Sequence, residues 1–261
     1  MLIVDTHTHT GLHLYEPVEI LLAQMEHNQV AKTVLVQSST TTDNAYLIES
    51  LRRYPGRFSA VCRVDVASPN APQDLERWHR AGADGVRFRN FDRSPGADPL
   101  AVWRKAEELG MSASVGGPTE VFASAEFSQL AQALPNLKIV IEHLGGAGYL
   151  AIHHQRQEPP YTNYRKALEL ARWPNTYMKL HGTGEYCPAP FPYREIPPLV
   201  ELAYQSFGPR RMMWGSDFPP VSLREGYRNS LRFTMDNMPY ASDEDKEWVF
   251  GKTALGVYQF P

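Results

Sequence analysis

The sequence predicts an α/β protein, a (β/α)8 TIM barrel with one additional helix at its C-terminus. Three observations lead there. Eight short β-type runs are each followed by an amphipathic helical stretch. The runs begin at residues 2, 33, 58, 85, 111, 137, 176 and 212, so consecutive starts lie 25–39 residues apart. That step holds a strand, a loop, a helix and a second loop. No composition break divides the 261 residues, which reads as one domain over 1–261. A doubly wound sheet is built from similar units, and the pattern favours the barrel over it.

The expected strands are 2–7, 33–37, 58–65, 85–89, 111–115, 137–143, 176–181 and 212–217. Helical stretches fill the gaps. Residues 18–28 carry Ile20, Leu21, Leu22 and Met25, and 44–54 place Leu47, Ile48 and Leu51 at helical spacing. Residues 72–81, 100–109, 125–134, 164–171, 196–207 and 223–238 complete the eight. Gly82, Gly110 and Gly208 stand where helix C-termini need a left-handed residue, and Pro55 and Pro135 stop two others. The final helix, 242–258, opens on Ser242 with acids at 243–245 near its positive end. Two loops are long, 145–163 and 182–195, and both follow strand C-termini. That is the barrel face where catalytic loops sit, and both read as ordered lids.

Composition excludes several classes. Hydrophobic residues make up 43% and charged residues 21%, enough for a full core. The net charge is -3, from 26 Lys+Arg and 29 Asp+Glu. So balanced a charge supplies no field for nucleic acid or an anionic membrane. No apolar run approaches the ~20 residues of a membrane span. Cys62 and Cys187 are the only cysteines, too few for a disulfide scaffold or a Cys-only zinc site. With no signal-like segment at residue 1, the expected compartment is the cytoplasm.

The chemistry-bearing residues gather at strand ends. Asp5-Thr6-His7-Thr8-His9 closes the first run, with His7 and His9 on one side of the strand. Two imidazoles there can chelate a divalent cation or bind an oxyanion; two ordinary polar residues leaving a strand are the plainer reading. Ile139-Val140-Ile141-Glu142-His143 ends the sixth run, and Met213-Trp214-Gly215-Ser216-Asp217 the eighth. One such residue is readily a hydrogen-bonded core residue. Histidines and an aspartate from three strands at one barrel face form a hydrolytic constellation.

These segments (MLIVDTHTH, IVIEHLGG and MMWGSDFP) resemble the amidohydrolase superfamily. More narrowly they resemble its amidohydrolase-2 group, which includes 2-pyrone-4,6-dicarboxylate lactonase, sugar-acid lactonases and related decarboxylases. The resemblance runs from residue 3 to about 220 in the expected order. It implies a distorted barrel in which His7, His9, His143 and Asp217 surround a reacting carbonyl. Asp217 then acts as general base on water, and the three histidines polarise the carbonyl. They do so directly, or through one divalent ion, zinc or manganese, held by His7, His9, His143 and Asp217. The group includes metal-dependent and metal-independent members, and no carboxylated-lysine signature marks a binuclear site.

Substrate groups are expected at the same mouth. Arg87 and Arg89 share one face of the fourth run, and Arg63 is similarly placed on the third. Guanidinium groups there suit a small anionic, carboxylate-bearing substrate, while ion pairs with Asp65 or Asp92 are the structural reading. Lys179 matches the group's pattern on the seventh strand. His181 departs from it, standing where resembling sequences commonly have serine. It too is placed among the substrate-binding residues, and it opens a second reading, because superfamily decarboxylases use an additional histidine near this region. Gln37, Ser38 and Ser114 are candidate polar linings. His27 and His79 read as surface residues, His153 and His154 as a solvated loop, and Trp103, Trp173 and Trp248 as helix packing. His13 follows the first strand without further support.

The leading function is a hydrolase that opens a lactone or related cyclic ester of a carboxylate-bearing small molecule. The alternative is a metal-dependent decarboxylase. Metal-dependent DNases share Asp-x-His-x-His but carry a glutamate where this chain has Arg87 and Arg89. A non-catalytic barrel gives no reason for all four reactive positions. The sequence leaves the oligomeric state open.

Overall fold

The computed structural model describes residues 1–147 and 157–261. Eight parallel strands run in sequential order, β1 (Val4–Thr8), β2 (Lys32–Val36), β3 (Phe58–Cys62), β4 (Gly85–Arg89), β5 (Ser112–Gly116), β6 (Lys138–Ile141), β7 (Thr176–Leu180) and β8 (Met212–Trp214). The helices between them are α1 (Val18–His27), α2 (Ala45–Arg53), α3 (Ala71–Ala81), α4 (Ala101–Glu108), α5 (Thr119–Phe122), α6 (Ala125–Ala133), α7 (Thr162–Leu168) and α8 (Leu199–Phe207). After β8 come α9 (Tyr227–Asp236), α10 (Asp243–Glu247) and α11 (Thr253–Val257). Among the described residues no helix is long and apolar enough to cross a membrane.

Two apolar layers sort by strand phase. Val4, Val34, Val36, Val61, Val140 and Met213 face the barrel axis and meet Ala254, Val257 and Tyr258 from the C-terminal segment, which closes the lower end. The alternate positions, such as Ile3, Leu35, Phe88, Ile141, Met178 and Trp214, face the helices. Phe88 and Trp103 stack across that outer layer, ring centroids 3.6 Å apart. Above the apolar floor the inward positions turn polar: Arg87 on β4, Ser114 on β5, Glu142 after β6 and Lys179 on β7.

β1 breaks the simple alternation. Asp5 pairs with Thr33 but Thr8 pairs with Leu35, so β1 carries one extra residue. Such a bulge shifts the side-chain phase by one position. Val4 faces the axis below the bulge, and His7 and His9 face it above. Without the extra residue both histidines would point at the helices.

The barrel closes between β1 and the segment after β8. Asp217 N–H donates to His7 O, His9 N–H donates to Phe218 O, and Thr6 Oγ1 donates to Trp214 O. Gly215 makes the approach possible: a Cβ there would lie 2.7 Å from His7 Cβ.

Helix ends follow the sequence, with differences that have physical causes. Gly82, Gly110 and Gly208 all adopt positive φ, and Ser242 forms a capping box with Asp245. The helix expected from 196 starts at 199, after Pro197 and Pro198. That expected from 223 starts at 227, after a 3-10 turn over Pro220–Leu223 and a left-handed Gly226. The helix over 242–258 is interrupted by a π-turn at Trp248–Lys252. The short α5 follows Gly116-Gly117-Pro118 and has no periodic signal of its own.

Gly215→Ala should lower stability by roughly 1–3 kcal/mol, the cost of overpacking. At about 2–4 °C per kcal/mol for a chain of this size, the fall is measurable as Tm by circular dichroism.

Candidate active site

Five residues converge above the polar layer. His7 and His9 come from β1, their rings edge to face with centroids 4.9 Å apart. His181 follows Tyr177 and Lys179 as the next inward position of β7, and its ring lies 4.4 Å from that of His7. His143 and Asp217 arrive differently. Glu142 takes the inward position after β6, so alternation would send His143 outward. A left-handed backbone at His143, φ 50°, turns it into the mouth, 3.8 Å from the His181 ring. Asp217 also has positive φ, 58°. For non-glycine residues this costs about 1–3 kcal/mol each and persists where surrounding structure enforces it.

The side chains of three members, His9, His143 and Asp217, are held from outside the group. His9 Nδ1 lies 2.7 Å from Val36 O, and its Nε2 is 3.5 Å from Asp217 Oδ1. His7 Nε2 is 3.8 Å from the same oxygen. His143 Nδ1 contacts Glu185 Oε2 at 2.8 Å and His181 Nδ1 at 2.7 Å. Arg224 lies 3.4 Å from Glu185 and 3.5 Å from the other oxygen of Asp217. Tyr15 stacks on His9 with the planes 13° apart.

Charge is distributed unevenly. Burial, then the neighbouring cations, lowers His7 and His181 well below the ordinary histidine range, so both are neutral at pH 7. Burial, the largest single influence, also opposes charge on His143, but Glu185 together with Asp217 and Glu142 outweighs it and raises His143 above its ordinary range. Burial opposes ionisation of Asp217 as well; the His9 contact and the surrounding histidines overcome it and hold the carboxyl far below the carboxylate range. Asp217 is therefore ionised at any pH of interest.

The charged layer beneath is hydrogen-bonded throughout, and Arg87 and Glu142 form an ion pair within it. Glu142 accepts from Arg87 at 3.0 Å and from Ser114 at 2.7 Å, and Arg87 also donates to Gln37 O. Arg87 is thus ion-paired, with Glu142 rather than with Asp65 or Asp92. Lys179 is completely buried and donates to Thr6 O at 2.7 Å, and burial pulls its pKa down to about 8. It sits inside the barrel rather than at the mouth. Arg63 and Arg89 are half-buried, and neither has an ion pair among the described residues; with Arg87 they border a small cleft. Ser38 and Gln37 line a larger cavity of about 480 Å3 with Thr10, His13, Tyr15 and Tyr46. His27 is exposed, His79 is half-buried, and His153 and His154 lie outside the described residues.

The model of the amidohydrolase family matches residues 4–260. The chain belongs to the amidohydrolase family. A curated relative, L-fucono-1,5-lactonase from Burkholderia ambifaria, is 30% identical over 224 residues, covering 80% of this chain and 70% of that one. Among solved structures, an amidohydrolase from Burkholderia multivorans with bound zinc superposes with a TM-score of 0.80 at 20% identity, covering 100% of both chains. A probable 2-pyrone-4,6-dicarboxylic acid hydrolase from Acinetobacter baumannii, with citric acid bound, gives 0.73 at 18% identity, covering 98% of this chain and 99% of that one. At these identities the structures establish the shared fold.

This amidohydrolase has residues that fit one divalent cation. His7, His143, His181 and Asp217 each offer a ligand atom, all within 4.8 Å of one another. His7 Nδ1 and Nε2 and His181 Nε2 are buried without a hydrogen-bond partner, and a cation would relieve one nitrogen on each ring. Three imidazoles and a carboxylate suit zinc or manganese. This tightest set contains His181, whereas the sequence pointed to His9. In this structure His9 spends Nδ1 on Val36 and stands beside Asp217.

Glu142, Glu185, Arg224 and Tyr15 escaped the sequence reading. Glu142 carried a signal, because it precedes His143 and alternation puts one of the two inside. Glu185 and Arg224 carried none, being loop residues whose partners are set by the fold.

Two outcomes are expected. Zinc affinity, followed by competition with a chromophoric chelator, weakens as pH falls, because the proton that Glu185 favours on His143 must leave before the nitrogen can ligate. Replacing Arg87 by Met leaves Glu142 short of its closest cation and destabilises the fold by about 3–5 kcal/mol, read by urea denaturation.

Proposed function

We propose that this amidohydrolase opens lactones of small carboxylate-bearing molecules by attack of water on the ring carbonyl. The observation that carries the proposal is the convergence of three buried histidines and an ionised aspartate on one point of the barrel mouth. The similarity to a lactonase over 80% of the chain supports it.

Asp217 accepts the proton of the attacking water at Oδ1 and returns it to the leaving ring oxygen. Its low proton affinity keeps it ionised and also makes it a weak base, so the water must be acidified by nearby positive charge. A divalent ion held by His7, His143, His181 and Asp217 would polarise the carbonyl and lower the pKa of water toward ~7. His9 fixes the Asp217 carboxylate, with Tyr15 stacked behind it. Glu185 orients His143.

Arg63 and Arg89 supply the anion site. Both are half-buried guanidiniums without an ion pair among the described residues, so a substrate carboxylate takes an open position rather than displacing a partner. Arg87 is committed to Glu142 and Gln37 and forms the base beneath them. A cavity of about 480 Å3 lined by Thr10, Tyr15, Gln37 and Ser38 has the size of a small-molecule site; it meets the ring through Tyr15, which stacks on His9. The two cysteines are free and buried, which supports placement in the reducing cytoplasm. No observation favours decarboxylation, since His181 belongs to the ring that hydrolysis also uses.

A panel of carboxylate-bearing and neutral lactones tests the reading. Wild-type protein should open carboxylate-bearing members, and Asp217→Asn should lower kcat by about 100- to 10,000-fold. Absence of turnover on every lactone contradicts the proposal. In the same assay Arg89→Met should raise KM about tenfold for carboxylate-bearing lactones and leave neutral ones unchanged.

A further inference from the structure

The geometry points to Arg224 as the positioning residue that locks Asp217 and the Glu185–His143 pair into one working arrangement; this rests on Asp217 acting as the base. Arg224 follows the 3-10 turn after β8. Its Nη2 lies 3.4 Å from Glu185 Oε1 and 3.5 Å from Asp217 Oδ2, so one nitrogen bridges two carboxylates. Each carboxylate turns its other oxygen to a histidine. Glu185 Oε2 meets His143 Nδ1 at 2.8 Å, and Asp217 Oδ1 faces His9 Nε2 at 3.5 Å and His7 Nε2 at 3.8 Å.

The three carboxylates near this guanidinium explain why one is needed. Glu185, Asp217 and Glu225 are all buried, with at most 6% of each exposed. Like charges so enclosed repel and turn away from one another unless a cation stands between them. Arg224 stands there, its Nε 3.8 Å from Glu225 Oε2. Glu225 is itself fixed, accepting from Gly184 N–H at 3.1 Å and from the Tyr193 hydroxyl at 2.9 Å. The anchor therefore runs from the β7 loop through Glu225 and Arg224 to Asp217.

This arrangement differs from a substrate-binding arginine. A guanidinium that received the substrate carboxylate would leave its donors open, as Arg63 and Arg89 do. Arg224 directs Nη2 at two protein carboxylates at once, and removing it frees the Asp217 side chain to rotate. The loss then falls on turnover, because the base is misaimed, and not on substrate affinity. Lysine restores the charge without the planar fork, so it recovers only part of the function.

The test compares wild type, Arg224→Ala and Arg224→Lys on a lactone that wild type opens, with folding checked by circular dichroism. Arg224→Ala should lose about 10- to 100-fold in kcat with KM changed by less than about threefold, and Arg224→Lys should fall between. Added guanidinium ion should restore about fivefold or more of the alanine variant's activity and leave wild type unchanged. A crystal structure of Arg224→Ala should show the Asp217 and Glu185 carboxylates moved apart. Unchanged kcat, a loss confined to KM, or carboxylates that keep their places overturns the proposal. Should wild type open no lactone, the reading of function fails, and the variant structures still decide the role of Arg224. Should the alanine variant not fold, Arg224→Lys carries the same kinetic and structural comparison.

Discussion

Asp5 Oδ1 accepts the backbone N–H groups of both His7 and Ser216, at 3.1 and 2.8 Å, and so stitches the first strand to the segment after the last. Everything at the mouth depends on that seam. It sets His7 and His9 beside Asp217, although the two motifs stand more than 200 residues apart in the chain. Asp5 is wholly buried, and burial raises its pKa to about 6 against the lowering effect of its hydrogen bonds. A neutral polar residue could serve some of these bonds, but a carboxylate oxygen can accept two N–H groups at once. The seam lacks the regular ladder of the other strand pairs. Irregularity there lets the chain place an αL aspartate and a bulged histidine pair opposite each other.

The second constraint is charge burial. A ring of imidazoles and carboxylates in a water-poor mouth is costly unless each charge has a partner. The barrel meets this in two tiers. Below, Glu142 binds Arg87 and Ser114 while Lys179 bonds to Thr6 O. Above, Glu185 binds His143, and Arg224 lies between Glu185 and Asp217. In the ring His7 Nδ1 and Nε2 and His181 Nε2 are left without a hydrogen bond; His7 Nδ1 lies 3.7 Å from Glu142, so one nitrogen of each ring is free for a cation. Structural satisfaction and chemical readiness are thus divided between neighbouring residues rather than shared by one.

Much of this was legible in the sequence. Strand–helix spacing located all eight strands, since a repeated supersecondary unit leaves its period in the chain. His7, His9, His143 and Asp217 were visible as polar ends of apolar runs, and they do meet. Three things were not visible. The β1 bulge is one residue of register, decided by pairing with β2, and the motif reads the same with or without it. The left-handed turns at His143 and Asp217 fall on residue types that tolerate that region better than most, but nothing in the sequence marks where it is adopted. The partners of the arginines and of His143 are set in space: Arg87 finds Glu142 and His143 finds Glu185 at separations of 55 and 42 residues. Lys179 shows the same limit, for a lysine after an apolar run reads as a mouth residue until the strand ends are known.

In the proposed reaction water, aimed by Asp217, attacks a ring carbonyl held among the histidines. Oxygen labelling tests it most directly. Single-turnover opening of a lactone in 18O-enriched water, with the product analysed by mass spectrometry, reports which bond breaks. One label in the new carboxylate and none in the new hydroxyl is the expected result. Label in the hydroxyl, or a product that has lost carbon dioxide, would contradict it.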